Sequence, residues 1–125
     1  MIADDLTVDA ALEAGIGRAL ERLPPAFASR LGSVAIVIED EPTEEQLASV
    51  GQAGLFGLYQ GIPRTAMGAE GIPIPSKITI FRGPLARASP DEDRLEEAVE
   101  DTVLHEIAHH FGLSDARLLE LRRRG

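Results

Sequence analysis

The sequence predicts an α/β (α+β) domain, a small mixed sheet of about three strands packed on one long helix. Apolar residues recur every three or four positions near 8–23, one helix face, and a second long helix over 90–111 has an acidic first half and a second half apolar nearly all round, so that it passes from solvent into the core. Between them lie short apolar runs of strand length, at 34–38, 55–59 and 77–81. The chain has 125 residues, 44% hydrophobic and 26% charged, which suits one core and a single domain over 1–125.

In order along the chain, Val8, Leu12, Ile16, Ala19 and Leu23 make the apolar face of the first helix. Thr7 is its expected cap, and Pro24-Pro25 stops it because proline cannot continue the hydrogen-bond ladder. Val34 to Ile38 is apolar and β-branched, and predicts a strand buried on both faces. Thr43 with Gln46 three residues on forms a capping box, opening a short helix to about Val50. Leu55 to Tyr59 predicts a second strand, interrupted by Gly57. Gly61 to Pro75, rich in Gly and Pro, predicts a loop, and Lys77 to Phe81 a third strand. The longest helix is expected to open with Ser89 as cap, Pro90 in its first turn and Glu92 closing the capping box, and to run to Phe111. Gly112 ends it, and a short helix follows over 116–123.

Composition excludes several classes. There is no cysteine, hence no disulfide scaffold and no thiolate metal site, so any metal must be held by His, Asp, Glu or water. The net charge of −9 disfavours nucleic acid as a partner, because an acidic surface repels phosphate. The start Met1-Ile2-Ala3-Asp4-Asp5 is acidic where a secretory signal is basic, and no apolar run approaches the ~18 residues of a membrane span. A cytoplasmic protein with no membrane partner is the expectation.

The chemistry concentrates at the end of the long helix. His105 and His109, four apart, stack on one helix face, where two imidazoles can bind one zinc ion. Glu106 lies ~100° around the helix, placed to act as general base on a water at the metal rather than as a ligand. This is the H-E-x-x-H arrangement of zinc hydrolases. A glycine at 112 lets the chain turn back, so that Asp115 can supply a third ligand, its other reading being a cap, with Ser114, for the last helix. His110 points away from His109 and is read as a packed residue, and Asp101, one turn before His105, as a solvated carboxylate or an orienter of His105. Tyr59 is read as packing on the sheet, with an oxyanion donor as the alternative.

The run His105-Glu106-Ile107-Ala108-His109-His110-Phe111-Gly112-Leu113-Ser114-Asp115 resembles the H-E-x-x-H-x-x-G-x-x-D motif of Asp-type zincins, most closely the small bacterial zincin-like metallopeptidases. Gly57-Leu58-Tyr59-Gln60-Gly61-Ile62-Pro63 is similar to the same group. The resemblance implies a minimal zincin-like domain with His105, His109 and Asp115 as Zn2+ ligands and Glu106 as catalytic base. It further implies a peptide or protein substrate that pairs with an edge strand, for which Leu55 to Tyr59 is the candidate. Metzincins carry a methionine turn after the third ligand, whereas Met1 and Met67 both precede this motif. Only ten residues follow Asp115, so a shallow groove, or one completed by a partner chain, is expected.

Two other readings remain open on sequence. One is a metal-binding or regulatory domain without catalysis. The other is a metal-dependent ribonuclease, which resembles this chain in spacing but uses a third histidine where Asp115 stands and lacks the glutamate beside the first.

Overall fold

The computed structural model describes residues 4–31, 34–50, 55–61 and 76–111. The elements are helix α1 (Asp5–Arg22), helix α2 (Pro25–Leu31), strand β1 (Ala35–Glu39), helix α3 (Glu44–Val50), strand β2 (Gly57–Gln60), strand β3 (Lys77–Phe81), helix α4 (Arg82–Ala88) and helix α5 (Glu92–His110). The expected α/β class holds, with a mixed three-stranded sheet and a long C-terminal helix against it. Strand order is β1-β3-β2, with β3 parallel to β1 and antiparallel to β2. None of the helices among the described residues is long and apolar enough to cross a membrane.

The central strand β3 explains the layering. Its side chains alternate between two faces, and Ile78, Thr79, Ile80 and Phe81 are all fully buried. Ile78 and Ile80 join the main core with Leu12, Leu95, Val99, Val103 and Ile107 of α1 and α5. Phe81 packs on the opposite side with Leu55 and Leu58, against Leu47 of α3. The sheet therefore has an α1/α5 face and a smaller α3 face.

Helix α1 lies along α5, and glycine sets how closely. A Cβ on Gly15 would stand 2.6 Å from Val99 Cβ and 2.8 Å from the Glu96 carbonyl, while one on Gly17 would meet nothing within 4 Å. Alanine gains up to about 1 kcal/mol over glycine inside a helix. Overpacking a seam costs about 1–3 kcal/mol. Gly15→Ala is thus expected to destabilise the protein and Gly17→Ala to stabilise it, two residues apart. Urea denaturation of the pair measures both; equal signs would show that the seam is loose at Gly15.

Several local expectations are corrected. The cap of α1 is Asp4, whose carboxylate accepts from Leu6 N, while the Thr7 hydroxyl donates to the same carboxylate. Pro24-Pro25 does end α1, but the chain re-enters a helix at once, because proline suits the first helical position, where no N–H bond is needed. The capping box of α3 forms as expected: Thr43 Oγ1 accepts from Gln46 N at 3.0 Å, and Thr43 N donates to Gln46 Oε1 at 2.8 Å. Strand β1 is not buried on both faces. It is an edge strand, and Ile38 is 43% exposed. Ser89 does not open α5. Its hydroxyl donates back to the Leu85 carbonyl and closes α4, a helix the sequence reading did not foresee, and Asp91 caps α5 by accepting from Arg94 N at 2.8 Å. The predicted loop beyond Gly61, the terminator Gly112 and the helix over 116–123 lie outside the described residues.

Ion pairs tie the elements together. Arg87 on α4 grips Glu41 with two hydrogen bonds, and this guanidinium holds the Glu41 carboxyl below its ordinary range. Arg82 donates to Asp9 of α1 at 2.8 Å. Glu100 of α5, buried, accepts from Arg22 at 2.7 Å and pairs with Arg18 at 3.1 Å.

Candidate metal centre

Helix α5 carries its acidic first turn in solvent and its second half in the core. Asp91, Glu92 and Asp93 sit at the positive end of the helix dipole. Leu95, Val99, Val103, Leu104 and Ile107 then form the buried stripe that fixes the helix rotation. That rotation turns His105, Glu106 and His109 toward a cleft of about 570 Å³. One wall is the α5 face bearing Asp101, Thr102, His105, Glu106 and His109, and the other is the segment Leu55–Tyr59 at β2.

The two imidazoles meet edge to face, with ring centroids 4.6 Å apart, as their i,i+4 spacing dictates. The ligand atoms offered by His105, Glu106 and His109 all lie within 4.8 Å of one another. Imidazole nitrogens are donors that zinc accepts, so the residues gathered here fit a metal, with the carboxylate of Glu106 beside them. Exposure grades across the cluster. Glu106 is 7% exposed, His105 half-buried, and the side chain of His109 about half exposed. Glu106 Oε1 stands 3.2 Å from His109 Nδ1. When that nitrogen carries the proton and donates to Glu106, Nε2 keeps the lone pair a metal ligand needs. The chain thus brings His105, Glu106 and His109 into one open cluster. Asp115, the expected third ligand, lies outside the described residues.

His110 takes another direction. Its Nδ1 is 3.1 Å from the Tyr59 hydroxyl, which also bonds Ser76 Oγ at 3.0 Å. The Tyr59 hydroxyl is therefore engaged in holding β2 to the end of α5 and to the start of β3. Ser76 was missed on sequence, since nothing local distinguishes it from an ordinary loop serine. The proximity of Gly57 to α5 was also missed, although an isolated glycine inside an apolar strand is a recognised sign of close backbone approach.

Strand β2 is the edge of the sheet nearest the cluster, as anticipated for the Leu55–Tyr59 run. Phe81 N donates to the Phe56 carbonyl at 2.9 Å, and the register pairs Gly57 with Ile80. Antiparallel pairs alternate between bonded and non-bonded positions, so the N–H and C=O of Gly57 and Tyr59 point to the outer edge. No strand among the described residues pairs with that edge.

No curated protein matches the chain. A family model described as zincin-like metallopeptidase matches residues 31–124, three quarters of the sequence and the whole span from β1 through the histidine cluster. A histidine pair at helical spacing, a glutamate between them and an antiparallel edge strand across the cleft agree with that match, and the chain belongs to the zincin-like metallopeptidase family.

Proposed function

We propose that the protein is a zinc-dependent peptidase that holds an extended peptide between the outer edge of β2 and the cleft face of α5. His105, His109 and Asp115 hold the metal, and Glu106 is the general base. The observation that carries this reading is the meeting of His105, Glu106 and His109 at the floor of an open cleft rimmed by a strand edge that no strand among the described residues pairs.

The division of labour follows from burial and direction. His105 and His109 supply two imidazole nitrogens from one helix face. Bound there, zinc provides Lewis-acid chemistry, acidifying water and polarising a carbonyl. Glu106 is too confined to wander, and its carboxylate opens onto the cleft beside the imidazoles. It takes a proton from the attacking water and returns it to the leaving amine. The outward N–H and C=O groups of Gly57 and Tyr59 bind peptide backbone in the manner of an added strand, which gives affinity without demanding a particular side chain. Leu55, Phe56 and Leu58 make the strand side of the cleft apolar, and Phe56 is 39% exposed.

Elemental analysis tests the metal half. Purified wild type should hold about one equivalent of zinc, and His109→Ala close to none, because two remaining protein ligands are too few. Asp115→Ala likewise leaves two protein ligands and should also lose most of its zinc, measured by chelator competition. Equal zinc in wild type and His109→Ala would overturn the assignment. Cleavage of a peptide library by the zinc-loaded protein tests the other half. Zinc retained with no peptide cleaved would favour a metal-binding domain without catalysis.

A further inference from the structure

We infer that Gly57 is a positioning residue: its bare Cα sets how closely the edge of β2 lies over Glu106, and so brings a paired peptide within reach of the base. This rests on the peptide-pairing reading above and adds a residue to it.

The reason for glycine here is space, not backbone freedom, since its φ lies outside the left-handed region. A Cβ at position 57 would stand 2.6 Å from Thr102 Cγ2, 3.3 Å from the Thr79 carbonyl and 3.4 Å from Glu106 Cγ. Ordinary van der Waals contact begins at 3.4 Å, so any side chain must push β2 off α5 by on the order of 1 Å. Thr102 cannot readily give way. Its hydroxyl donates to the Ala98 carbonyl at 2.7 Å and holds the methyl toward the strand. Glu106 is one turn further along the same helix face, and its stem is the next atom group that the strand touches.

The same residue faces both ways. The Cα of Gly57 lies on the helix, and its N–H and C=O lie on the outer edge, unpaired among the described residues, by the alternation fixed through Phe56 and Phe81. A peptide bonded to that edge is therefore registered against Glu106 through a single residue. At the other end of the strand, Tyr59 is tied to His110 and Ser76, so β2 cannot tilt to absorb a displacement at Gly57 without breaking those bonds. A shift of about 1 Å in a reacting group can cost about 10²-fold in rate.

The test uses full-length zinc-loaded protein and two probes, acetohydroxamate, which reaches only the metal, and acetyl-Leu-Leu hydroxamate, which adds a strand-pairing arm. Wild type should bind the peptide probe at least about tenfold more tightly, and Gly57→Ala should lose about tenfold of that margin, the worth of one or two backbone hydrogen bonds. Acetohydroxamate affinity and zinc content should stay within about twofold, because nothing at the metal has moved. Gly57→Ala/Thr102→Ser, which removes the methyl that the new Cβ strikes and keeps the hydroxyl, should restore most of the margin. A purely structural role would lower the melting temperature and weaken both probes alike, with no such rescue. Should Gly57→Ala fail to fold, Thr102→Ile presses on β2 from the helix side and should produce the same selective loss. A full margin in Gly57→Ala, equal loss of both probes, or no rescue overturns the inference alone. A wild type that gains nothing from the Leu-Leu arm, or binds neither probe, overturns the peptide-pairing reading and the inference with it.

Discussion

Glu106→Gln is expected to lower kcat for peptide hydrolysis by about 10²- to 10⁴-fold, the usual worth of a positioned general base, with zinc content unchanged. The amide keeps the volume of a side chain that is buried and packed near β2, so neither the fold nor the cleft should respond. It can still accept from His109 Nδ1 through its carbonyl oxygen, so the orientation of that imidazole survives. What it cannot do is take a proton. The histidine variants give a different pattern, because His105→Ala and His109→Ala remove a donor from the cluster and should lose metal and turnover together. Separate measurement of zinc stoichiometry and kcat distinguishes the two roles. Glu106→Gln with wild-type kcat would remove Glu106 from the mechanism, and Glu106→Gln that loses its zinc would make Glu106 a ligand instead.

The histidine cluster was legible because it is local. A spacing of four residues on a helix fixes the relation of two side chains whatever surrounds them, and the centroids stand 4.6 Å apart accordingly. The capping box at Thr43 and Gln46 was legible for the same reason. Features that depend on the neighbours of an element were not. Strand β1 has the β-branched composition of a buried strand, yet it lies at the edge of the described sheet, and the buried strand is β3, whose sequence includes Lys77 and Thr79. Helix α4 was not foreseen, and its first turn holds Gly83 and Pro84, residue types that commonly mark turns. Proline is tolerated in the first helical turn, and the Gly83 N–H that the turn leaves over donates to the Asp40 carbonyl at 2.8 Å. Ser89 was assigned to the wrong helix because a hydroxyl between two helices can bond in either direction, and here it bonds backward. The role of Gly57 required knowing which helix the strand lies on, information held by α5 and not by the strand.

Glu100→Ala is expected to destabilise the protein by about 3 kcal/mol, the loss typical of breaking a buried charge pair, and to lower the melting temperature by about 10 °C. Glu100 is 3% exposed and receives Arg18 and Arg22, which stand one turn apart on α1, with one carboxylate oxygen for each. The three groups close the seam between α1 and α5 at the end away from Val8. Removing the carboxylate leaves a cavity in the seam and two guanidiniums facing it, one of them with its side chain only 29% exposed. Arg18→Ala alone should cost far less, under about 1 kcal/mol, because that side chain is 48% exposed and Arg22 still covers the carboxylate. Arg18→Ala with Arg22→Ala should approach the cost of Glu100→Ala, since each leaves part of one buried network without its counter-charge. Zinc content should be unchanged in all three variants, because Glu100 faces α1 and the metal cluster faces the cleft. Thermal melts beside zinc analysis decide it. A Glu100→Ala protein melting within about 2 °C of wild type would mean that apolar contact along Leu12, Ala19, Leu95 and Val99 holds the two helices together without the carboxylate.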